Sequence, residues 1–176
     1  MKKARLATMW LDGCSGCHMS LLDVDEAIIA IAQRAELVYG PLVDAQEFPE
    51  NVDVTLVEGA VSNQDDVIKI FKIRQRTRVL VALGDCAVTS NVPGMRNSIP
   101  VNKLLQRVYV ESAEPGSALP TSGVPQLLKQ ALPVHEFVTV DLYLPGCPPS
   151  SKAILEVVTS LLEGRKAQAN PKVKFG

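Results

Sequence analysis

The sequence predicts a doubly wound α/β domain, in which a parallel β-sheet carries helices on both faces. Two observations predict this fold: short apolar runs alternate with stretches of helical period, and glycine-containing turns end most of the apolar runs. The chain has 176 residues, of which 47% are hydrophobic and 21% charged, so it can bury one sizeable core. We therefore expect a single domain over residues 1–176, with its core at about 4–163 and a polar tail at 164–176.

The first half of the chain supplies three predicted strands and two predicted helices. Residues 5–10 form the first strand, and residues 20–35 form a helix whose apolar face includes Leu21 and Ile28. Residues 37–39 predict a short second strand. Residues 52–57 predict a third strand, which ends at Glu58. Asn63 or Asp65 can then cap a helix that reaches about residue 75.

The second half contains fewer regular patterns. Residues 78–83 and 137–144 predict the fourth and fifth strands, and Ser150 or Ser151 begins a last helix that ends near Glu163. Six prolines interrupt residues 87–133, where the apolar pieces are short. We expect this segment to be largely irregular, and irregular segments of this length are usually functional or disordered.

Charge and hydropathy exclude several classes of partner. The chain has 18 basic and 19 acidic side chains, for a formal charge of -1, so no strong overall field attracts nucleic acid or an anionic membrane. No run approaches the roughly 18 apolar residues that a membrane-spanning helix needs. The first residues also lack the pattern of a secretory signal. We expect a cytoplasmic protein without a nucleic-acid or membrane partner.

Each of the four cysteines follows a predicted strand. Cys14 and Cys17 follow the first strand, Cys86 follows the fourth, and Cys147 follows the fifth. Parallel strands of one sheet end at the same edge, which is where ligands bind in doubly wound folds. The fold prediction therefore brings all four thiols to one edge. In a reducing cytoplasm, such thiols are metal ligands or redox groups more often than disulfides.

The residues alone leave more than one chemistry open for this site. Residues 14–18 spell C-x-x-C-H, a pattern shared by haem attachment, dithiol redox, zinc and iron–sulfur sites. The missing export signal argues against c-type haem, and a dithiol pair leaves Cys86 and Cys147 without a role. Four thiolates match a structural zinc site and also a [4Fe–4S] cluster. A zinc or dithiol module that binds a regulatory partner therefore stays an alternative.

Five ordered motifs carry a more specific resemblance. They are CSGCHMSLLDVDE at residues 14–26, VEGA at 57–60, GDCA at 84–87, VPGMRN at 92–97 and LPGCPP at 144–149. In this order they resemble the small subunit of [NiFe] hydrogenases, and above all the short small subunit of cytoplasmic NAD-reducing, bidirectional enzymes. The cluster subunit of respiratory complex I is similar, but it carries an adjacent cysteine pair, whereas Cys14 and Cys17 are separated here.

The resemblance implies a function and a set of ligands. Cys14, Cys17, Cys86 and Cys147 would ligate one proximal [4Fe–4S] cluster. A hydrogenase large subunit would carry the nickel–iron centre, and diaphorase subunits with iron–sulfur clusters and flavin would reduce NAD+. The chain would be a subunit of a hydrogen:NAD+ oxidoreductase and would not be catalytic alone. The complex I-like cluster subunit stays the alternative within this class.

Several residues near the cysteines have two interpretations. Glu58, at the end of a buried strand, is either a proton relay or a structural hydrogen-bonding group. His18 either donates to a cluster sulfur or to the partner subunit, or satisfies a loop carbonyl, which we expect. Trp10 packs either on the cluster or the subunit interface or, by default, in the core. Asp12 and Asp85 either lower the cluster potential or serve as turn residues.

A flavodoxin-like sheet could also place a flavin at this edge. Residues 59–66 lack the glycine- and hydroxyl-rich loop that would hold its phosphate, so the sequence does not support bound FMN.

Overall fold

The elements of the fold follow the expected alternation of strands and helices. The computed structural model describes residues 3–165. The strands are β1 (Ala4–Trp10), β2 (Ala35–Tyr39), β3 (Val52–Glu58), β4 (Val61–Asn63), β5 (Thr77–Leu83), β6 (Leu127–Leu132) and β7 (Leu142–Leu144). The helices are α1 (Gly16–Leu22), α2 (Ala27–Arg34), α3 (Gln64–Arg76), α4 (Gly84–Thr89), α5 (Asn91–Gly94), α6 (Val101–Gln106) and α7 (Ser151–Leu162). Short 3-10 segments occupy Met95–Ser98 and Val134–Glu136, and a π-helical turn occupies Arg107–Glu111.

The main sheet has five strands in the order β2-β1-β3-β5-β7, and every neighbouring pair is parallel. This is the flavodoxin-like order, whose switch point lies between β1 and β3. Strands β4 and β6 form a separate antiparallel pair beside it. The predicted doubly wound fold is confirmed.

Each face of the sheet is covered by a different set of helices. On one face, Leu56 and Val81 belong to a buried cluster that also includes Ile154 of α7. On the other face, Leu80 and Ala82 belong to a cluster that includes Ile70 and Ile73 of α3. Successive residues of β5 alternate between the two clusters because side chains alternate along a strand. The central strands are thus buried on both faces, as parallel strands are.

The single helix expected over residues 20–35 is wrong. Helix α1 begins earlier, at Gly16, and ends at Leu22, and α2 begins only at Ala27. Between them Asp25 has a φ of 52°, a left-handed conformation that interrupts the helical path. Aspartate tolerates this conformation and competes with helical hydrogen bonds through its side chain.

The fifth strand is also shorter than the predicted residues 137–144. Only Leu142–Leu144 pair with β5. Just before this strand, the Asp141 carboxylate accepts the Leu80 N–H at 2.7 Å and contacts Arg74 at 2.6 Å. A side chain therefore takes the donor that a longer β7 would use.

The expectation that residues 87–133 are largely irregular is wrong as well. This segment contains most of α4, then α5, α6 and β6. The Asn97 side chain donates to the Ala131 carbonyl at 2.8 Å and accepts the Ala131 N–H at 2.7 Å. Arg96 donates to the carbonyls of Ser62 and Leu128. These side chains hold β6 in place, a function that local sequence patterns do not reveal.

Both expected helix caps are confirmed. Asn63 accepts the Asp66 N–H at 2.9 Å at the start of α3, and Ser150 accepts the Ala153 N–H at 3.3 Å at the start of α7. Most of the polar tail predicted at 164–176 lies outside the described residues. Over residues 3–165 the structure has no helix with the length and apolar character needed to cross a membrane.

Candidate metal centre

The four cysteines lie at the carboxyl edge of the main sheet. Cys14 follows β1 and Cys17 lies in the first turn of α1; Cys86 lies in α4, directly after β5; Cys147 follows β7. Because these strands are parallel members of one sheet, their ends share an edge. All four cysteines are free thiols: Cys17 and Cys86 are buried, and Cys14 and Cys147 are exposed.

Backbone packing brings the three cysteine loops into direct contact. Gly84 has a φ of +81°, and a Cβ built on it would lie 2.2 Å from the Cys17 Sγ and 3.4 Å from the Gly146 carbonyl oxygen. Asp85 donates its N–H to that carbonyl at 2.9 Å, and its carboxylate accepts the Gly146 N–H at 2.7 Å. Glycine at residue 84 is therefore required for the loops after β1, β5 and β7 to meet.

The thiols interact electrostatically. Burial raises the pKa of the Cys17 thiol, and the negative charges of Glu58, Cys86, Cys14 and Cys147 raise it further. Burial also raises the pKa of Cys86, and charges on the other groups add to this effect. Thiolates at Cys17 and Cys86 are therefore disfavoured unless a positive charge lies beside them, and a bound metal centre supplies such a charge.

One side-chain amide donates to a cysteine sulfur. The Asn91 amide donates to the Cys147 Sγ at 3.4 Å. The Val92 backbone N–H lowers the pKa of Cys86 against the effect of burial. Asn91 was not predicted as a site residue. The available signal was its place immediately before the VPGMRN motif.

Glu58, at the end of β3, binds His18, the residue that follows Cys17 in α1. Glu58 is 1% exposed, and its Oε2 accepts the His18 backbone N–H at 2.9 Å. The His18 ring Nδ1 contacts the same oxygen. The expectation that His18 satisfies a loop carbonyl is wrong, because its partner is a buried carboxylate. The pair ties the residue after Cys17 to the end of β3.

Two buried polar atoms near the cysteines lack a hydrogen-bond partner within residues 3–165. They are the His18 Nε2, one residue after Cys17, and the Ser90 Oγ, whose backbone N–H bonds to the Cys86 carbonyl at 3.1 Å. Buried polar groups without partners are rare in folded proteins. Their location at this edge fits a site that receives a group with hydrogen-bonding atoms.

The remaining residues proposed for this site have structural contacts. Trp10 is 47% exposed and donates its Nε1–H to the Gly13 carbonyl at 3.1 Å, so the expected core position is wrong. Asp12 pairs its backbone with Ala60, and Asp85 bonds to Gly146 as described above. The contact of Asp12 is thus a backbone bridge, whereas that of Asp85 includes its side chain.

The segment considered for a flavin phosphate is occupied by a carboxylate. The Asp66 Oδ2 accepts the Ser62 N–H at 3.1 Å and the Asn63 amide N–H at 2.8 Å. A buried carboxylate on these donors disfavours a phosphate at the same place.

Among residues 3–165, no set of three or more His, Cys, Asp or Glu side chains is arranged around a position for one metal ion.

Comparison with known proteins identifies the family. Residues 14–161 match the family model described as the NADH ubiquinone oxidoreductase 20 Kd subunit. The chain is 34% identical to the NAD-reducing hydrogenase HoxS subunit delta of Cupriavidus necator, over 93% of this chain and 80% of that protein. It is 36% identical to a subunit of the F420-non-reducing hydrogenase vhu of Methanocaldococcus jannaschii, over 96% of this chain and 59% of that protein.

A solved structure agrees with these relatives. A chain in the crystal structure of an NAD+-reducing [NiFe]-hydrogenase in the H2-reduced state is 38% identical, with a TM-score of 0.94. The match covers 99% of this chain and 100% of that chain. The chain spans about three fifths of the F420-non-reducing hydrogenase subunits that it matches in two archaea. The chain belongs to the family of the NADH ubiquinone oxidoreductase 20 Kd subunit, and its relatives named above are hydrogenase subunits.

Proposed function

We propose that the chain is the electron-transfer subunit of an NAD-linked [NiFe] hydrogenase, and that Cys14, Cys17, Cys86 and Cys147 ligate one proximal [4Fe–4S] cluster. The observation that carries this proposal is the convergence of four free thiols on one sheet edge. The match over the full length of a chain from an NAD+-reducing [NiFe]-hydrogenase supports it.

The donor set suits an iron–sulfur cluster. Four thiolates satisfy a [4Fe–4S] cluster with one ligand per iron. Glycines next to the cysteines leave room for a bulky inorganic group: a Cβ at Gly16 would lie 3.2 Å from the Cys14 Sγ. An N–H donor to the Cys147 sulfur and two buried polar atoms without partners among the described residues lie at the same edge. When bound, such a cluster would carry electrons one at a time from the nickel–iron centre of a large subunit towards a diaphorase module.

The position of each cysteine suggests its role. Cys17 and Cys86 are buried and would hold the side of the cluster that faces the sheet. Cys14 and Cys147 are exposed and would hold the side that faces a partner. This arrangement keeps the cluster near the surface, where a second subunit can approach it.

Exposed apolar side chains next to the cysteine loops suit a large-subunit interface. Trp10 lies just before Cys14, Met19 lies just after Cys17, and Val92 and Met95 follow Cys86. Their exposed fractions are 47%, 57%, 57% and 76%, respectively. Aromatic residues and methionine are enriched at protein interfaces, and exposed apolar patches mark interaction sites. We assign this surface to the large subunit that carries the nickel–iron centre.

Further parts of the proposal concern the whole enzyme. The chain acts as one cluster-binding domain and is not catalytic alone. Its partners are the large subunit and diaphorase subunits with iron–sulfur clusters and flavin, and the assembled enzyme is a cytoplasmic hydrogen:NAD+ oxidoreductase. Glu58 is the proposed proton relay beside the cluster, since it is a buried carboxylate at the switch point between β1 and β3.

Anaerobic purification of the full chain tests the cluster. We expect about four irons and four sulfides per chain, with an EPR signal on reduction. One zinc and no sulfide would instead identify the zinc-binding module. Cys86→Ala should lose most of the iron. Val88→Thr changes the same short helix but keeps all four thiols, so it should keep the iron. Equal iron in these two variants would contradict the ligand assignment.

A further inference from the structure

The turn between α4 and α5 faces two of the candidate ligands. It consists of Ser90, which has a φ of 65°, and Asn91, the first residue of α5. The Ser90 N–H bonds to the Cys86 carbonyl at 3.1 Å, and the Ser90 carbonyl accepts the Gly94 N–H at 2.7 Å. These bonds fix the turn to the helix that carries Cys86.

The turn presents two side-chain hydrogen-bond donors. The Asn91 amide reaches the Cys147 Sγ at 3.4 Å. The Ser90 side chain is buried, with the residue only 4% exposed, and its hydroxyl has no partner among the described residues. The turn thus donates to one sulfur through Asn91 and carries a buried hydroxyl without a described partner on the adjacent residue.

We propose that the turn Ser90–Asn91 sets the reduction potential of the cluster, and that Asn91 does so through its hydrogen bond to the Cys147 sulfur. This inference rests on the proposed function, because it assumes that Cys147 is a cluster ligand. It adds a residue that the ligand assignment does not include. Hydrogen bonds to cluster sulfurs are among the features that set such potentials.

The direction of the effect follows from charge. Reduction adds one electron to the cluster, and part of the added negative charge lies on the sulfurs. A donor stabilises a sulfur more strongly when that sulfur is more negative. Removing the Asn91 donor therefore makes reduction less favourable and moves the potential to a more negative value.

Two substitutions at Asn91 separate hydrogen bonding from charge. Asn91→Leu has nearly the same shape but no donor, and Asn91→Asp has the same shape but replaces the donor by an acceptor with a negative charge. Asn102 is an exposed asparagine on α6 and provides the matched control Asn102→Leu. Ser90→Ala tests the hydroxyl in the same way.

The experiment is a potentiometric titration of the anaerobically purified full chain, followed by EPR, with iron and sulfide determined on the same samples. We expect native-like iron content in every variant. The midpoint potential should become more negative in Asn91→Leu, still more negative in Asn91→Asp, and more negative also in Ser90→Ala. It should not change in Asn102→Leu.

The outcomes separate this inference from the function on which it rests. A fully loaded Asn91→Leu variant with the native potential overturns the inference and leaves the function intact. A shift in Asn91→Asp without one in Asn91→Leu also overturns it, because charge alone then explains the effect. If the native chain contains no iron and sulfide, both the inference and the proposed function are wrong. If Asn91→Leu does not fold, Asn91→Ser removes the long amide with a smaller side chain, and an unchanged potential in that variant overturns the inference equally.

Discussion

Substitution of Gly84 by alanine is expected to destabilise the chain and prevent cluster binding. At φ +81° an alanine costs about 1–2 kcal/mol, because its Cβ approaches the neighbouring carbonyl. The new methyl group would also lie 2.2 Å from the Cys17 Sγ, whereas non-bonded carbon contacts are optimal at about 3.5–4.0 Å. The sulfur must therefore move by more than about 1 Å, and overpacking of this kind costs about 1–3 kcal/mol.

The two costs together predict a loss of about 2–5 kcal/mol in the free energy of unfolding. Because the atom displaced is a candidate ligand sulfur, iron binding should be lost even in the fraction of molecules that folds. Urea unfolding of the metal-free chain measures the first effect. Iron and sulfide determination on the folded protein measures the second.

Two other glycines provide controls for the separate parts of this prediction. Gly123 has a φ of +75°, and a methyl group added there would have nothing within 4 Å, so Gly123→Ala tests the backbone cost alone. At Gly40 a Cβ would lie 2.5 Å from the Thr8 Oγ1, so Gly40→Ala creates a close contact away from the cysteines. Both variants should keep their iron when folded. Gly84→Ala protein with full iron content, or with the stability of Gly123→Ala, would refute the steric argument.

Two further predictions concern buried carboxyl groups. Glu58→Gln replaces the carboxyl group that binds His18 and should lower the free energy of unfolding by about 1–3 kcal/mol. It should also slow hydrogen-dependent NAD+ reduction in the assembled enzyme, and native turnover with unchanged cluster spectra would rule out the relay role. Burial raises the pKa of Asp66, despite the opposing hydrogen bonds. A carboxyl group with a raised native pKa contributes its full stability below its unfolded pKa and loses that contribution as the pH rises through the native pKa. The free energy of unfolding of Asp66→Asn, relative to that of the native chain, should therefore be higher at about pH 7 than at about pH 3 in urea unfolding. An equal difference at both pH values would contradict this assignment.

The sequence patterns were most informative where strands are buried on both faces. The runs around Leu56 and Leu80 are apolar because both sides of the sheet are covered, so their strands could be located without any tertiary information. The same logic placed the cysteines, since each follows a strand and parallel strands end together. Asn63 and Ser150 could be recognised as caps because capping depends on a few adjacent residues.

Elements that depend on distant partners could not be located in this way. Strand β6 pairs with the distant strand β4, and the side chains of Asn97 and Arg96 bind its backbone from about thirty residues away. The shortened β7 depends on the Asp141 carboxylate taking the Leu80 N–H. Such contacts involve side chains that are far apart in the chain, so no local hydrophobic periodicity predicts them.

The amino-acid order alone established the parallel α/β fold, the placement of four thiols at strand ends and the resemblance to hydrogenase small subunits, because each depends on local period or local motif. The folded chain decided what surrounds those thiols. It joined His18 to Glu58, brought Gly84 against the Cys17 sulfur and aimed the Asn91 amide at the Cys147 sulfur. These contacts join segments that are distant in the chain, and only the path of the backbone through space determines which side chains meet.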